Sequence, residues 1–262
     1  MSRIVRFTAA AVLSIAAGTL VAAPAAQAKG NKLKSHINKC VFAAHGSDAE
    51  KENSKPSGAG GGGGGGGKPT KSCGKVFAKW SDGSVSVYVS DANAPAGLGS
   101  ALSSYTADCF NEWACHSGLS WTSAASAAAA DVTITWGDLG SQGILGQTST
   151  SYFGGLISSS DVVMNSNQAA FSWTNGPGLT KDGSGCEVEV GNGNTSSSNY
   201  DIFSVLLHEI GHSVGLSHPT SRCAINDSCY HETMNPCTDA EEFERRALNA
   251  GDVSAIQTNY GQ

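Results

Sequence analysis

Beyond its first two dozen residues, no segment of the chain is apolar over a length that could cross a bilayer as a helix. Basic residues are scarce as well. Between 76 and 262 there are five Lys and Arg against nineteen Asp and Glu, a formal charge of −14. So acidic a body argues against nucleic acid as a partner, because phosphate contacts need a basic face. Cys-x-x-Cys pairs are missing too, so nothing suggests a metal site built from thiolates.

What is present begins with a processing signal. Arg3 and Arg6 precede an apolar stretch from about Phe7 to Ala23, which is broken by Ser14, Gly18 and Thr19 and followed by Ala26-Gln27-Ala28. A charged start, a short apolar run and an A-x-A site make residues 1–28 a signal peptide cut before Lys29. The expected product is secreted, extracellular and free of the membrane once the signal is removed. Eight cysteines, an even number, agree with a disulfide-forming compartment. Their connectivity stays open, since eight cysteines allow about 105 pairings.

Residues 29–75 carry nine lysines against Asp48, Glu50 and Glu52, a charge of +6, and include the unbroken run Gly60–Gly67. Glycine loses too much backbone entropy on ordering for such a run to be other than a flexible connector. The segment reads as a basic, Gly-rich propeptide or linker. It either lies against the acidic body, is solvated independently of it, or tethers it to a surface or partner. The compact domain is expected over 76–262.

Within that domain Val85, Val87 and Val89 alternate with Ser86, Tyr88 and Ser90, a strand pattern. Leu98, Leu102, Tyr105, Cys109 and Trp113 recur at helical spacing and predict a helix from about Pro95 to His116. Strands are expected over Asp131–Trp136, Ser151–Leu156 and Asp161–Asn165. The Gly- and Asn-rich stretch Asn175–Ser198 reads as a long surface loop. With Asp182, Glu187 and Glu189 it is acidic enough to hold a calcium ion, or is simply solvated. A helix follows, capped by Ser198 or Asn199 with Asp201 in its first turn, and Ile202, Leu206, Ile210 and Val214 form its apolar stripe. A last helix is expected from about Ala250 to Tyr260, starting at Asn249.

The chemistry lies in His208-Glu209-Ile210-Gly211-His212-Ser213-Val214-Gly215-Leu216-Ser217-His218. His208 and His212, four residues apart on a helix, project from one face as two ligands of a tetrahedral zinc must. Gly215 can take the left-handed conformation that reverses the chain, which returns His218 as a third ligand. Three protein ligands leave the fourth position of a single catalytic Zn2+ open for water or a carbonyl. Glu209 stands beside the metal, where a carboxylate can take the proton of a zinc-bound water.

This segment matches the H-E-x-x-H-x-x-G-x-x-H signature of the metzincin metallopeptidases at every specified position. Thr233-Met234-Asn235-Pro236 resembles their methionine turn, with Met234 beneath the zinc. The order of parts is most similar to that of the matrixins: Trp113, Ala130-Asp131, Trp173 and the closing stretch from Asp252 to Gly261 sit in corresponding places. The resemblance implies an α/β (α+β type) zincin-like fold. Its mixed twisted sheet and two long helices would stand above a small loop-rich C-terminal subdomain, with the zinc in the cleft between. It also implies a monomeric zinc endopeptidase acting on protein or peptide substrates, bound as an added strand near Ser151–Leu156. A catalytically inactive zinc-containing binding protein on the same scaffold is the alternative, and a hydrolase of non-peptide bonds a further one.

Departures from the pattern carry expectations of their own. Only His116 lies between Val76 and Ser204, so the histidine-bound second zinc of matrixins should be absent. Pro219 follows the third histidine, and the loop from Pro219 to Thr233, with Cys223, Cys229 and nearby Cys237, is long and should be braced by a disulfide. Tyr230 and His231 either line the S1′ pocket shaped by this stretch or are exposed. Ser72-Cys73-Gly74 resembles the core of the matrixin latency switch without its flanking residues. Cys73 is therefore either a switch thiol or half of a disulfide, with Cys40 a candidate partner.

Overall fold

Alternation in sequence becomes alternation in space along the central sheet. The computed structural model describes residues 36–44, 73–169, 171–176, 181, 186, 199–219 and 227–262. In chain order its elements are β1 (His36–Ala44), β2 (Lys75–Val76), β3 (Ser84–Ser90), α1 (Ala101–Cys115), β4 (Ser120–Ser123), β5 (Val132–Gly137), β6 (Ile144–Phe153), β7 (Leu156–Asn165), β8 (Ser172–Thr174), β9 (Asn199–Asp201), α2 (Ile202–Ser213), β10 (Leu216–Ser217), β11 (Cys237–Thr238) and α3 (Ala250–Tyr260). Val85 and Val87 on β3, Val132, Ile134 and Trp136 on β5, and Val162 and Met164 on β7 all turn into the core. One mixed sheet results, in the order β11-β1-β6-β7-β5-β3-β4. Strands β4, β3, β5 and β7 run parallel, β6 runs antiparallel to β7, and β1 runs antiparallel to β6.

Helix α2 packs on β6 and β7, and α1 packs on β3 and on α2. The Trp113 indole N–H donates to the Leu207 carbonyl at 3.0 Å and ties the two helices together. Every residue of α2 is buried. A helix covered on all sides must place its polar residues in the interior, which costs several kcal/mol for each unless it is hydrogen-bonded. The mixed sheet with helices is the fold class expected from the sequence.

Several boundaries move. The first helix begins at Ala101 rather than near Pro95, because Asp91, from the preceding strand end, accepts the peptide N–H groups of Leu102 and Ser103 at 2.9 and 3.1 Å. The strand expected over Ser151–Leu156 is interrupted by a turn: Gly154 and Gly155 have φ of 57° and 79°. Two successive positive φ values make the tight turn that suits a two-residue hairpin, so the strands are β6 and β7 on either side. Asp201, expected in the first turn of α2, is its N-cap and accepts from the Ser204 N–H at 3.0 Å. The 29–75 segment, read as having no fold of its own, contributes β1 to the main sheet.

The cysteines correct one pairing. Cys73 is bonded to Cys229 and Cys115 to Cys186, while Cys40 is outside any disulfide. Cys73 therefore has no thiol to act as a switch, and its bond to Cys229 is one brace of the Pro219–Thr233 loop; Cys237 is disulfide-bonded as well. Cys223, the signal segment, the glycine run, and Asp182, Glu187 and Glu189 of the calcium expectation lie outside the described residues. Among the described residues no helix is long and apolar enough to cross a membrane.

Gly215 ends α2's course with φ of 94°. Its carbonyl accepts the Phe77 N–H at 2.9 Å, and a Cβ at this position would fall 1.9 Å from the Ala78 carbonyl oxygen. The reversal leads into β10, which pairs with β2, and on to His218. Gly215→Ala combines a disfavoured φ with a backbone clash and should cost about 2–4 kcal/mol of stability. Urea unfolding measures it, and a midpoint equal to that of the parent chain would refute this role for Gly215.

Candidate active site

His208, Glu209 and His212 are carried into the interior by α2, with exposures of 0%, 0% and 1%. His218 arrives from the chain beyond Gly215. The three Nε2 atoms form a nearly equilateral triangle: 3.0 Å from His208 to His212, 3.0 Å from His212 to His218 and 3.1 Å from His208 to His218. Their other nitrogens show what these contacts are. His208 Nδ1 lies 2.6 Å from the Thr233 carbonyl and His212 Nδ1 lies 2.8 Å from the Leu216 carbonyl. A carbonyl only accepts, so each Nδ1 carries the proton and each of these Nε2 atoms presents a lone pair. Lone pairs 3.0 Å apart repel unless a cation sits among them.

Protonation does not offer an alternative. Burial, and then the neighbouring imidazoles, hold His208 well below the usual histidine range. Burial brings His212 down to about 4, and burial with the nearby His212 holds His218 well below its usual value. The donor set fits zinc: three neutral imidazoles, two with Nδ1 bonded to carbonyls that fix tautomer and orientation. A tetrahedral ion with bonds of about 2.05 Å separates its ligand nitrogens by about 3.3 Å, so a few tenths of an ångström of outward movement seats it.

Glu209 is gripped on one side only. The Thr148 hydroxyl donates to Oε2 at 2.5 Å and lies 3.0 Å from the Glu209 carbonyl. Burial pushes the carboxyl up to about 8, countered by that hydroxyl and by the peptide N–H of Phe42. The Phe42 contact falls short of a full hydrogen bond, for Oε1 is buried without a partner. Space for the carboxylate comes from Gly146 on β6, where a Cβ would lie 2.7 Å from Oε1.

Met234 packs under the same helix. A Cβ on Gly211 would come within 2.3 Å of its sulfur, so the glycine of the helix and the methionine of the turn fit one another. Asp252, the N3 residue of α3's capping box, accepts the N–H groups of Thr233 at 2.7 Å and Met234 at 3.1 Å. The same turn thus donates its hydrogen bonds to Asp252 of α3, and its Thr233 carbonyl accepts from His208. Asp201 is clamped bidentately by Arg246, with Nε to Oδ2 at 2.8 Å and Nη2 to Oδ1 at 2.6 Å, both side chains buried.

All five site residues read from the sequence, His208, Glu209, His212, His218 and Met234, meet at this place. Thr148, Asp252 and Arg246 were not anticipated, because each acts across a long stretch of chain and carries no local spacing signal. Tyr230 is buried rather than exposed: its hydroxyl donates to Asp239 at 2.5 Å and the Arg245 guanidinium lies over its ring. His231 is exposed and paired with Glu244.

A buried helix carrying two histidines and a carboxylate, with a third histidine returned by the chain beyond it, is an arrangement that fits a zinc peptidase. Residues 79–261 match the family model described as Matrixin, and the chain belongs to that family. The family is one of zinc metallopeptidases, so proteins are the substrate class and a catalytic zinc is implied.

Asp252→Ala should leave two buried peptide N–H groups unpaired and cost about 3 kcal/mol in urea unfolding. Through the Thr233 carbonyl it should also weaken zinc binding about 10-fold or more in competition with a chelator dye. Unchanged stability and zinc affinity would show that the turn is held in some other way.

Proposed function

We propose that the chain is a secreted zinc-dependent endopeptidase in which Glu209 is the general base and His208, His212 and His218 hold the metal. The observation that carries this reading is Glu209 Oε1: a buried acceptor with no donor, next in the chain to a candidate ligand. Leaving a carboxylate oxygen unpaired costs about 1–3 kcal/mol or more, a cost that a water molecule removes. Zinc held by the three Nε2 atoms supplies a polarising charge to that water and to a scissile carbonyl.

The remaining work belongs to the chain. Thr148 fixes Oε2, so the other oxygen is the one available to take a proton and pass it to the leaving nitrogen. The Nδ1 contacts to Thr233 and Leu216 keep the Nε2 atoms aimed at one point. Peptide substrate adds as a strand along β6, between Ile144 and Tyr152 rather than at Ser151–Leu156, since the β6 edge is where a further strand pairs. The protein acts outside the cell as a monomer.

Glu209→Ala should keep one zinc per chain by elemental analysis while cleavage of a mixed peptide library falls at least about 100-fold. Near-parental turnover would remove Glu209 from the mechanism, and zinc-bound parent protein that cuts nothing would favour the inactive binding protein. Chelation should abolish cleavage, and added zinc should restore it. Cleavage that survives full loss of zinc would overturn the metal's role.

A further inference from the structure

Strand β1 lies in the cleft in the manner of a bound peptide. It pairs antiparallel with β6 from His36 opposite Tyr152 to Ala43 opposite Ile144, and parallel with β11 on its other side. The Ala43 N–H donates to the Pro236 carbonyl at 3.1 Å and the Ala44 N–H to the Gly143 carbonyl at 2.8 Å. This part of the chain is thus fixed from both walls, one wall being the segment just beyond Met234.

Phe42 touches two members of the site at once. Its ring is fully buried and stacks on His208, with centroids 3.9 Å apart and planes 9° from parallel. Its backbone lies opposite Gly146, where a Cβ would fall 2.7 Å from Glu209 Oε1. A general base that returns its proton to the leaving amine must stand beside that nitrogen. The nitrogen standing there is that of Phe42, so the bond presented for cleavage is Val41–Phe42. The Cys40 sulfur does not join the histidine cluster: the ligand atoms grouped there are those of His208, His212 and His218. Strand pairing and the Phe42 ring hold β1.

We propose that residues 36–44 are this peptidase's own first substrate, cut between Val41 and Phe42, and that the pocket against His208 selects a bulky aromatic residue on the carboxyl side of the scissile bond. The proposal rests on the endopeptidase reading above. Water adds across the peptide bond: its oxygen becomes part of the Val41 carboxylate, the C–N bond breaks, and the Phe42 nitrogen leaves as an amine carrying the proton relayed by Glu209. No oxidant or further reactant is involved. Because residues 36–44 belong to the same chain as the site, the segment is delivered to the cleft within one molecule, and its local concentration exceeds that of dilute external peptide. Until the cut is made, β1 covers the β6 edge that other substrates need.

The test uses the zinc-loaded full chain and its Glu209→Ala and Phe42→Asp variants. Intact mass and N-terminal sequencing of the parent should reveal a new N-terminus at Phe42, formed at a rate independent of protein concentration, while Glu209→Ala stays uncut there. Hydrogen exchange on uncut Glu209→Ala gives a readout separate from turnover: the amides of Ala43 and Ala44 should be protected at least about 10-fold over an unstructured chain. Introducing Phe42→Asp into that variant should remove this protection while the amides of α2 keep theirs, which separates loss of docking from misfolding. In the peptide library, cuts should concentrate before Phe, Tyr or Trp. A parent protein that cleaves library peptides but is never cut at 41–42, or is cut only elsewhere, overturns the proposal and leaves the endopeptidase standing. Unprotected amides at 43 and 44 overturn the docking itself. A zinc-loaded parent that cuts neither itself nor the library fails the endopeptidase reading, and the self-cleavage falls with it.

Discussion

Three imidazole nitrogens held about 3.0 Å from one another, those of His208 and His212 with their lone pairs turned inward, are the constraint on which the structure depends. Left without a cation, such a cluster is a buried electrostatic defect. With one, it links the main helix to the chain that follows it. The protein commits carbonyl groups to this arrangement from two directions, Thr233 from the methionine turn and Leu216 from the strand after the helix. Both carbonyls are backbone groups. The site is therefore set by where the chain runs, and side-chain rotation alone cannot undo it.

The chain path is fixed by elements distant in sequence. Gly215 lets the backbone reverse against Ala78, the Trp80 indole N–H donates to the Ser213 carbonyl at 3.0 Å, and β2 pairs with β10, so residues 75–80 clamp the end of α2. At the other end of that helix Arg246 holds its N-cap, Asp201. Burial alone would oppose the Arg246 charge, and the Asp201 carboxylate more than offsets it, so the guanidinium lies above its usual pKa. Breaking such a buried pair leaves an uncompensated charge and typically costs about 3–5 kcal/mol. The loop-rich C-terminal part is thereby anchored at the start of the helix that carries the candidate ligands, and Asp252 joins it to α3.

What the sequence revealed follows from how local each feature is. The i,i+4 pair His208 and His212, the glycine at 215 and the third histidine are a single helix and a single turn, so spacing alone was enough to read them. The strands of alternating Val and Ser were legible for the same reason. Thr148 sits 61 residues before the carboxylate it holds, Asp252 acts 19 residues from Thr233, and Cys73 finds its partner 156 residues away. None of these has a periodic signature. The strand expected over 151–156 is broken because its two adjacent glycines, Gly154 and Gly155, form a hairpin turn between β6 and β7. Strand β1 escaped notice because lysine, serine and glycine dominate its surroundings. The short apolar run Val41-Phe42-Ala43-Ala44 was the available sign that part of this polar segment has somewhere to be buried.

As the proposed general base, Glu209 brings stability and activity into conflict at one atom. A fold optimised for stability alone would give Oε1 a donor, or replace the glutamate with an apolar residue of similar volume. Instead Thr148 satisfies one oxygen, Gly146 clears room beside the other, and the carboxyl is left in a setting where burial resists its ionisation. The same glycine that makes room for the carboxylate lies opposite Phe42 in the β1–β6 register. A side chain at position 146 would therefore crowd the base and the strand that covers it together. The glycine at 146 is thus a single adaptation serving two needs, room for a buried carboxylate and a neighbouring strand brought close enough to meet it.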